Sequence, residues 1–558
     1  MGIAVSIEDL TFTYQGGRRP ALERIKGQME DGTFFVVMGQ DGAGKSTLCY
    51  SLNALVPKFF RGKYQGRVVV KGREVARHSV AEMSPIVGLV LQDFEAQLFS
   101  TNVELEMAFG PENHCLPSQE IERRIQRYLT FVGLEKLRQR EPASLSGGQK
   151  QRLAIGSVLT LKSQILVMDE PTTDLDPQGR EEVLSIADSL RKEGRTLIII
   201  DHEPETAAEA DQVWLMHDGQ MVAKGPPREI LKDIPTMRSC GVKTPPMVEL
   251  FHSMGWPGLP LTVEEAIALI QEHHLTQRRE LKLIDDSSVQ LKGQPILVAE
   301  NLRYIYPMHH VEVLRGIHLS IWEGEFIAIL GQNGSGKTTL AKHFNGLLKP
   351  SSGNMLIRGK STREYSRREL ARCVGYVFQN PDHQIFANTV REEVGFGLKM
   401  MGEDSKMIEK RVTEALEVVG LAGYEQKVPF TLTKGERQRV AVASVLAVQP
   451  PVLILDEPTT GLDYRHQRSM MEMLKKLNRS GHTIIIITHS MWVAAEYADR
   501  TIVMKDGHIL LDGPTRSVFA EEARLAEASL RPSTLLRLSN RLGTQALTVE
   551  QLVKELKV

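Results

Sequence analysis

"MGQDGAGKSTL", residues 38–48, returns 292 residues later as "LGQNGSGKTTL", residues 330–340. Each copy holds the pattern Gly-x4-Gly-Lys-Ser/Thr, at 39–46 and 331–338. Each follows a strand-sized apolar run, "FFVVM" or "FIAIL", and leads into a segment that suits a helix, "TLCYSLNAL" or "TLAKHFNGL". A strand–loop–helix context turns this short pattern into a phosphate cradle. Glycines let backbone amides face a phosphate without Cβ interference, and the helix N-terminus adds partial positive charge. The cradle residues are then Gly39, Gln40, Asp41, Gly42, Ala43, Gly44, Lys45, Ser46 and Thr47, and again Gly331, Gln332, Asn333, Gly334, Ser335, Gly336, Lys337, Thr338 and Thr339. Lys45 and Lys337 are placed to reach the β- and γ-phosphates, and Ser46 and Thr338 to offer a hydroxyl to Mg²⁺.

The repetition continues. "VLQDFEAQLF" (90–99) returns as "VFQNPDHQIF" (377–386), and "LVMDEPTTDLDP" (166–177) as "LILDEPTTGLDY" (453–464), both offset by 287. The chain is two homologous halves in tandem. The fall in offset from 292 to 287 puts five extra residues in the first half, in "NALVPKFFRGKYQG" opposite "NGLLKPSSG". That segment reads as an exposed loop with aromatics, either a plain insertion or a contact element.

"ILVMDE" and "VLILDE" are buried-strand runs ending in paired acids. Asp169 and Asp456 are placed to hold Mg²⁺, directly or through water. Glu170 and Glu457, one residue on, are placed to polarise an attacking water. His202 and His489 each stand 33 residues past these aspartates and suit a γ-phosphate contact. Gln92 and Gln379 end "VGLVLQ" and "VGYVFQ", where a side-chain amide could reach Mg²⁺ or the water. Tyr14 and Tyr306 each precede the first loop glycine by 25 residues, a matched offset that favours stacking on adenine.

"LSGGQ" begins 24 residues before Asp169, and the phosphate loop, glutamine, acid pair and histidine occur in order around it. This set resembles the ATP-binding-cassette (ABC) ATPases, over nearly the whole chain and twice. The resemblance implies two α/β P-loop NTPase domains in tandem. Each would have an antiparallel β subdomain, a helical signature subdomain and a small helical C-terminal appendix. It implies ATP and Mg²⁺ as cofactors, and two ATP sites within one chain, each pairing one half's phosphate loop with the other half's signature. The first signature supplies Ser146, Gly147, Gly148 and Gln149. The second is spelled "LTKGE" and supplies Thr433, Lys434, Gly435 and Glu436. Lys434 adds a side chain where backbone approaches phosphate in the family, and Glu436 brings negative charge. The expectation is unequal turnover: fast for Lys337, Glu457, His489 and Ser146, slower for Lys45, Glu170, His202 and Thr433.

Charged residues are 25% of the chain, the apolar set is 42%, and the formal net charge is −1. No basic field points to nucleic acid. Nothing approaches the ~20 apolar residues that span a bilayer. The four cysteines are far apart, without metal or disulfide spacing. Domain boundaries are expected at 1–225 and 295–515 for the ATPase domains, 226–282 and 516–558 for helical appendices, and 283–294 for a linker. In "LTVEE" and "LTVEQ" a threonine stands as N-cap of a short apolar-periodic helix in each appendix.

The segments "QDFEAQLFSTNVELEMAFG" and "QNPDHQIFANTVREEVGFG" resemble those of energy-coupling-factor (ECF) and cobalt-type importer ATPases. That resemblance implies a separate membrane coupling subunit and a membrane substrate-binding subunit. It implies a place on the cytoplasmic face of the membrane, and a vitamin, vitamin precursor or metal ion as cargo. Gln97, Leu98 and Phe99, with Gln384, Ile385 and Phe386, become candidates for the groove that receives coupling helices. Two alternatives are a soluble tandem-cassette translation factor and the ATPase of a sugar-type importer. The translation factor calls for a long basic linker, whereas 226–294 holds 8 Lys/Arg against 9 Asp/Glu.

Overall fold

The computed structural model describes residues 2–173, 175–273, 294–307 and 311–557. The chain divides into two compact units, Met1–Leu261 with Asp463–Arg465 and Thr262–Leu462 with His466–Val558. The expected linker, but for Gln294, and the end of the expected first appendix lie outside the described residues.

Each unit repeats one α/β design. In the first, strands Leu22–Glu30, Ile3–Tyr14, Gly62–Val70 and Arg73–Glu74 form an antiparallel sheet in that spatial order. A six-stranded sheet runs Gln220–Gly225, Gln212–His217, Phe34–Met38, Thr196–Ile200, Ile165–Asp169, Val87–Val90. Its last five strands are parallel, and the first pairs antiparallel at the edge. The second unit has the same two sheets, built on Leu297–Tyr306 and on Phe326–Gly331.

The apolar runs explain the sheets. A strand exposes alternate residues to opposite faces, so continuous apolar sequence means burial on both. Phe34, Val36 and Met38 enter one core with the helical segment around Leu153 and Ile155. Phe35 and Val37 enter another with the antiparallel sheet. Phe326, Ala328 and Leu330 against Ile327 and Ile329 divide likewise in the second unit. One packing detail differs. A Cβ on Gly27 would lie 2.4 Å from the Trp214 ring, and the repeat places Leu319 and Ile502 at these two positions. A large ring over a glycine in one half replaces two aliphatic side chains in the other.

Helices Val103–Asn113, Ser118–Phe131 and Gly147–Leu159 make the first helical subdomain. Val390–Met401, Ser405–Val418 and Lys434–Leu446 make the second. The segment that holds the five-residue excess makes an irregular turn over Leu55–Phe59, with Val56 extended and buried, and then enters strand Gly62–Val70. Within the expected first appendix, helices Ile234–Ser239 and Pro246–Met254 belong to the first unit and helix Val263–Glu272 to the second. Thr262 caps the latter, accepting from the Glu265 amide at 3.1 Å. Glu264 on it pairs with Arg537 at 3.4 Å and Arg541 at 3.3 Å.

Candidate functional site

The two glycine-rich loops have the same backbone form. Gly39 and Gly331 adopt φ of 152°, and a Cβ on either would fall 2.3 or 2.4 Å from the carbonyl oxygen of Met216 or Met504. Only glycine fits there. Lys45 is buried and donates to the Gly39 and Gln40 carbonyls at 2.9 and 3.0 Å. Lys337 repeats this on Gly331 and Gln332, both at 2.8 Å. Each ammonium is thus held at the mouth of its own loop by groups that a phosphate can replace. Helices Lys45–Tyr50 and Lys337–Phe344 start directly behind.

Each acid pair closes a central strand, Ile165–Asp169 or Val452–Asp456. Glu170 and Glu457 both sit at left-handed φ, 48° and 49°, an uncommon backbone for a non-glycine residue. Both carboxylates face the following histidine. His202 Nε2 lies 2.7 Å from Glu170 Oε1, and His489 Nδ1 lies 2.9 Å from Glu457 Oε1. Burial pushes the Glu170 pKa up, but the bond and charge of His202 outweigh it and hold it below the usual range. Burial pushes the His202 pKa down, but the bond and charge of Glu170 outweigh it and raise it in return. Gln92 Nε2 donates to Glu170 Oε2 at 2.8 Å. Gln379 is exposed and makes no matching bond to Glu457 among the described contacts.

The aspartates fit a cation. Asp169 is 1% exposed, with no hydrogen-bond partner on either oxygen among the described residues. Burial pushes its pKa up to about 6. Asp456 is raised too, by burial, and accepts from Thr338 Oγ1 at 2.8 Å. A buried carboxylate with as little compensation as Asp169 has is costly unless a cation joins it. Ser46 and Asp169, or Thr338 and Asp456, are the residues that would hold Mg²⁺. Bound there, the ion neutralises developing charge on the transferred phosphoryl group.

Tyr14 and Tyr306 each reach the phosphate-loop helix, their hydroxyls 3.0 and 3.3 Å from Thr47 and Thr339 Oγ1. In the first unit the extra segment joins them. Phe60 stands edge-on to Tyr14 at 6.1 Å and stacks on Tyr50 at 5.2 Å. Its neighbour Phe59 is exposed.

Both signatures open a helix through a reciprocal cap, Ser146 with Gln149 and Thr433 with Glu436. The charge expected from Glu436 is engaged locally. Its Oε2 accepts from the Thr433 amide and hydroxyl, both at 2.9 Å, and its Oε1 from the Tyr424 hydroxyl at 2.9 Å. Burial raises its pKa, yet these bonds outweigh burial and keep it ionised. Lys434 lies along Gly461, where a Cβ would be 2.1 Å from Nζ. The first half has Gly147 and Asp174 at the matching positions. A longer signature side chain is therefore paired with a glycine in the loop beside it.

The sequence profile described as "ABC transporter" matches residues 22–173 and 314–460, just over half of the chain. The chain belongs to the ABC transporter ATPase family. A profile for an AAA domain also matches 428–494, inside the second cassette. An ABC transporter ATP-binding protein of Caldanaerobacter subterraneus subsp. tengcongensis is 51% identical, covering 98% of each chain. One from Methanosarcina mazei is 40% identical over 99% of this chain and 96% of its own. A third, from Enterococcus faecalis, is 34% identical over 97% and 96%. A solved structure titled as cbiO1 of Clostridium perfringens, part of the ABC transporter complex cbiONQ, is 41% identical. It covers 44% of this chain and 99% of its own, with a TM-score of 0.39. The protein is thus an ABC transporter ATP-binding component with two cassettes in tandem.

Some residues around the ABC site escaped sequence reasoning. Glu106 and Glu393, on helices Val103–Asn113 and Val390–Met401, are buried. Glu106 Oε2 accepts the amides of Phe99 and Ser100 at 3.0 and 2.8 Å. Glu393 Oε2 accepts those of Phe386 and Ala387, both at 2.9 Å. Their matched placement in the two halves was the available signal. Of the groove candidates, Gln97 and Gln384 brace backbone, accepting from Leu91 and Phe378 amides at 3.0 and 3.2 Å. Ile385 is buried and Leu98 half-buried, so each trio presents only its phenylalanine.

Proposed function

We propose that this ABC protein is the energy-coupling ATPase of an ECF-type importer. It would act at the cytoplasmic face of the membrane and drive uptake of a vitamin, vitamin precursor or metal ion through separate membrane subunits. The observation that supports this best is a pair of matched apolar docking points. Phe99 and Phe386 are 61% and 59% exposed, and stand edge-on to Phe109 and Phe396 at 4.6 and 4.8 Å. The buried Glu106 and Glu393 hold the loops that carry them. Exposed aromatics on a rigidly held loop suit a partner helix more than solvent. Among the described residues no helix is long and apolar enough to cross a membrane, so transport needs partners.

In this reading Lys45 and Lys337 bind ATP phosphates, and Tyr14 and Tyr306 stack on adenine. Glu170 with His202, and Glu457 with His489, align water against the γ-phosphate. Gln92 and Gln379 would reach Mg²⁺ or the attacking water. Catalysis is positioning and charge stabilisation. Mild-detergent affinity purification of this chain from its native cells, with mass spectrometry of the co-purifying proteins, tests the proposal. A polytopic membrane protein with a small membrane binding protein supports it. Ribosomal proteins without a membrane partner overturn it in favour of a soluble translation factor.

A further inference from the structure

Asp169 and Asp456 end equivalent strands, yet their surroundings differ. Asp456 Oδ2 accepts two hydroxyls, Thr338 Oγ1 and the phenol of Tyr376, each at 2.8 Å. Tyr376 lies on the neighbouring parallel strand Val374–Val377, paired with Ile454. It is buried and edge-on to Phe378. The first half spells this strand "VGLV" instead of "VGYV", with Leu89 in place of the tyrosine. Asp169 therefore lacks the phenol. Neither Asp169 oxygen has a hydrogen-bond partner among the described residues.

We propose that Tyr376 is a positioning residue for the divalent cation of the second cassette, and that Leu89 leaves the first cassette with the weaker cation site. This rests on the reading that Asp169 and Asp456 serve the Mg²⁺ of each ATP. Two donors on one oxygen fix the Asp456 carboxylate and leave Oδ1 for the cation or its water. Thr338 gives its proton to Asp456, so its lone pairs stay available to the metal. Asp169 must instead be ordered by the cation itself, and that ordering subtracts from binding. Partners behind a metal ligand change affinity by about 10–100-fold in other sites. The difference lies wholly inside each half and is independent of the two signature spellings.

The test is a Mn²⁺ titration of the full chain, with Mn²⁺ standing in for Mg²⁺, in saturating non-hydrolysable ATP analogue. Free Mn²⁺ is read by electron paramagnetic resonance. The wild type should bind two ions with unequal affinity. Asp456→Asn should remove the tighter class and Asp169→Asn the weaker. Tyr376→Phe, which keeps the ring and loses the hydroxyl, should weaken the tighter class about tenfold. Its binding of the analogue in EDTA should not change. A Tyr376→Phe titration that overlays the wild type, while Asp456→Asn has lost its class, overturns the role of Tyr376 alone. Two equal affinities in the wild type overturn the inequality. Retention of both classes in Asp456→Asn removes the metal reading and the proposal with it. If Tyr376→Phe lowers the melting temperature, Leu89→Tyr decides. It should tighten the weaker class by a similar factor, and no tightening sinks the idea.

Discussion

Glu170 and Glu457 share a left-handed backbone and a histidine partner, and among the described residues Glu170 alone also receives a glutamine amide. In the proposed reading either carboxylate is the water-polarising group of its site, a role usually worth 10²–10⁴-fold. Glu457→Gln should therefore remove more than half of the steady-state ATPase, and Glu170→Gln less than half. Equal losses, measured as phosphate release, would mean equal turnover. The Gly27–Trp214 contact makes a separate prediction about stability. Gly27→Ala forces a methyl into an indole that is 2% exposed, and overpacking of this kind costs about 1–3 kcal/mol. A urea titration should show the midpoint falling with little change in slope. Leu319→Ala, at the matching site of the second half, should cost about 2–5 kcal/mol for the opposite reason, a cavity.

At the scale of elements, the loops after Gln92 and Gln379 depend on single carboxylates. Glu106→Gln and Glu393→Gln keep the shape but replace a charge-assisted double acceptor by a neutral one, losing about 1–3 kcal/mol of local order each. Faster amide exchange at Phe99–Ser100 or Phe386–Ala387 would register it. Phe99→Ala with Phe386→Ala should leave ATP hydrolysis by the isolated chain unchanged and reduce recovery of the membrane partner. Recovery equal to wild type would place the docking point elsewhere. The signature helices invite a third experiment. Restoring "LSGGQ" at 432–436 in a Glu457→Gln chain should raise the hydrolysis that remains. The phosphate loops, acid pairs and histidines were legible because each lies within a few residues of the strand end that positions it. The aspartate environments were not, since Tyr376 reaches Asp456 across 80 residues of sequence. An acid such as Glu106 on a helix reads as a solvated face until the loop it caps is visible. Nor did "LTKGE" show that Thr433 and Tyr424 would take up the charge of Glu436.

At the scale of the molecule, the tandem repeat predicted matching architecture, and both units have the same two sheets in the same strand order. Repetition gave no hint that helix Val263–Glu272 belongs with the second unit, because its counterpart "LTVEQ" follows the second cassette. Its ion pairs to Arg537 and Arg541 are solvent-accessible, with Glu264 62% exposed, and such pairs contribute about 0–1 kcal/mol. Ile270 is 4% exposed, and its truncation to alanine removes about 2–5 kcal/mol. Ile270→Ala should thus loosen this helix, read as proteolytic sensitivity, far more than Glu264→Ala. The exchange of Gly27 and Trp214 for Leu319 and Ile502 bears on how such a gene can change. Two homologous segments in one reading frame are prone to copying sequence from one to the other. A conversion tract that carried Leu319 into position 27 without Ile502 into position 214 would drive a branched side chain into the indole. That contact therefore selects against any tract that ends between the two positions.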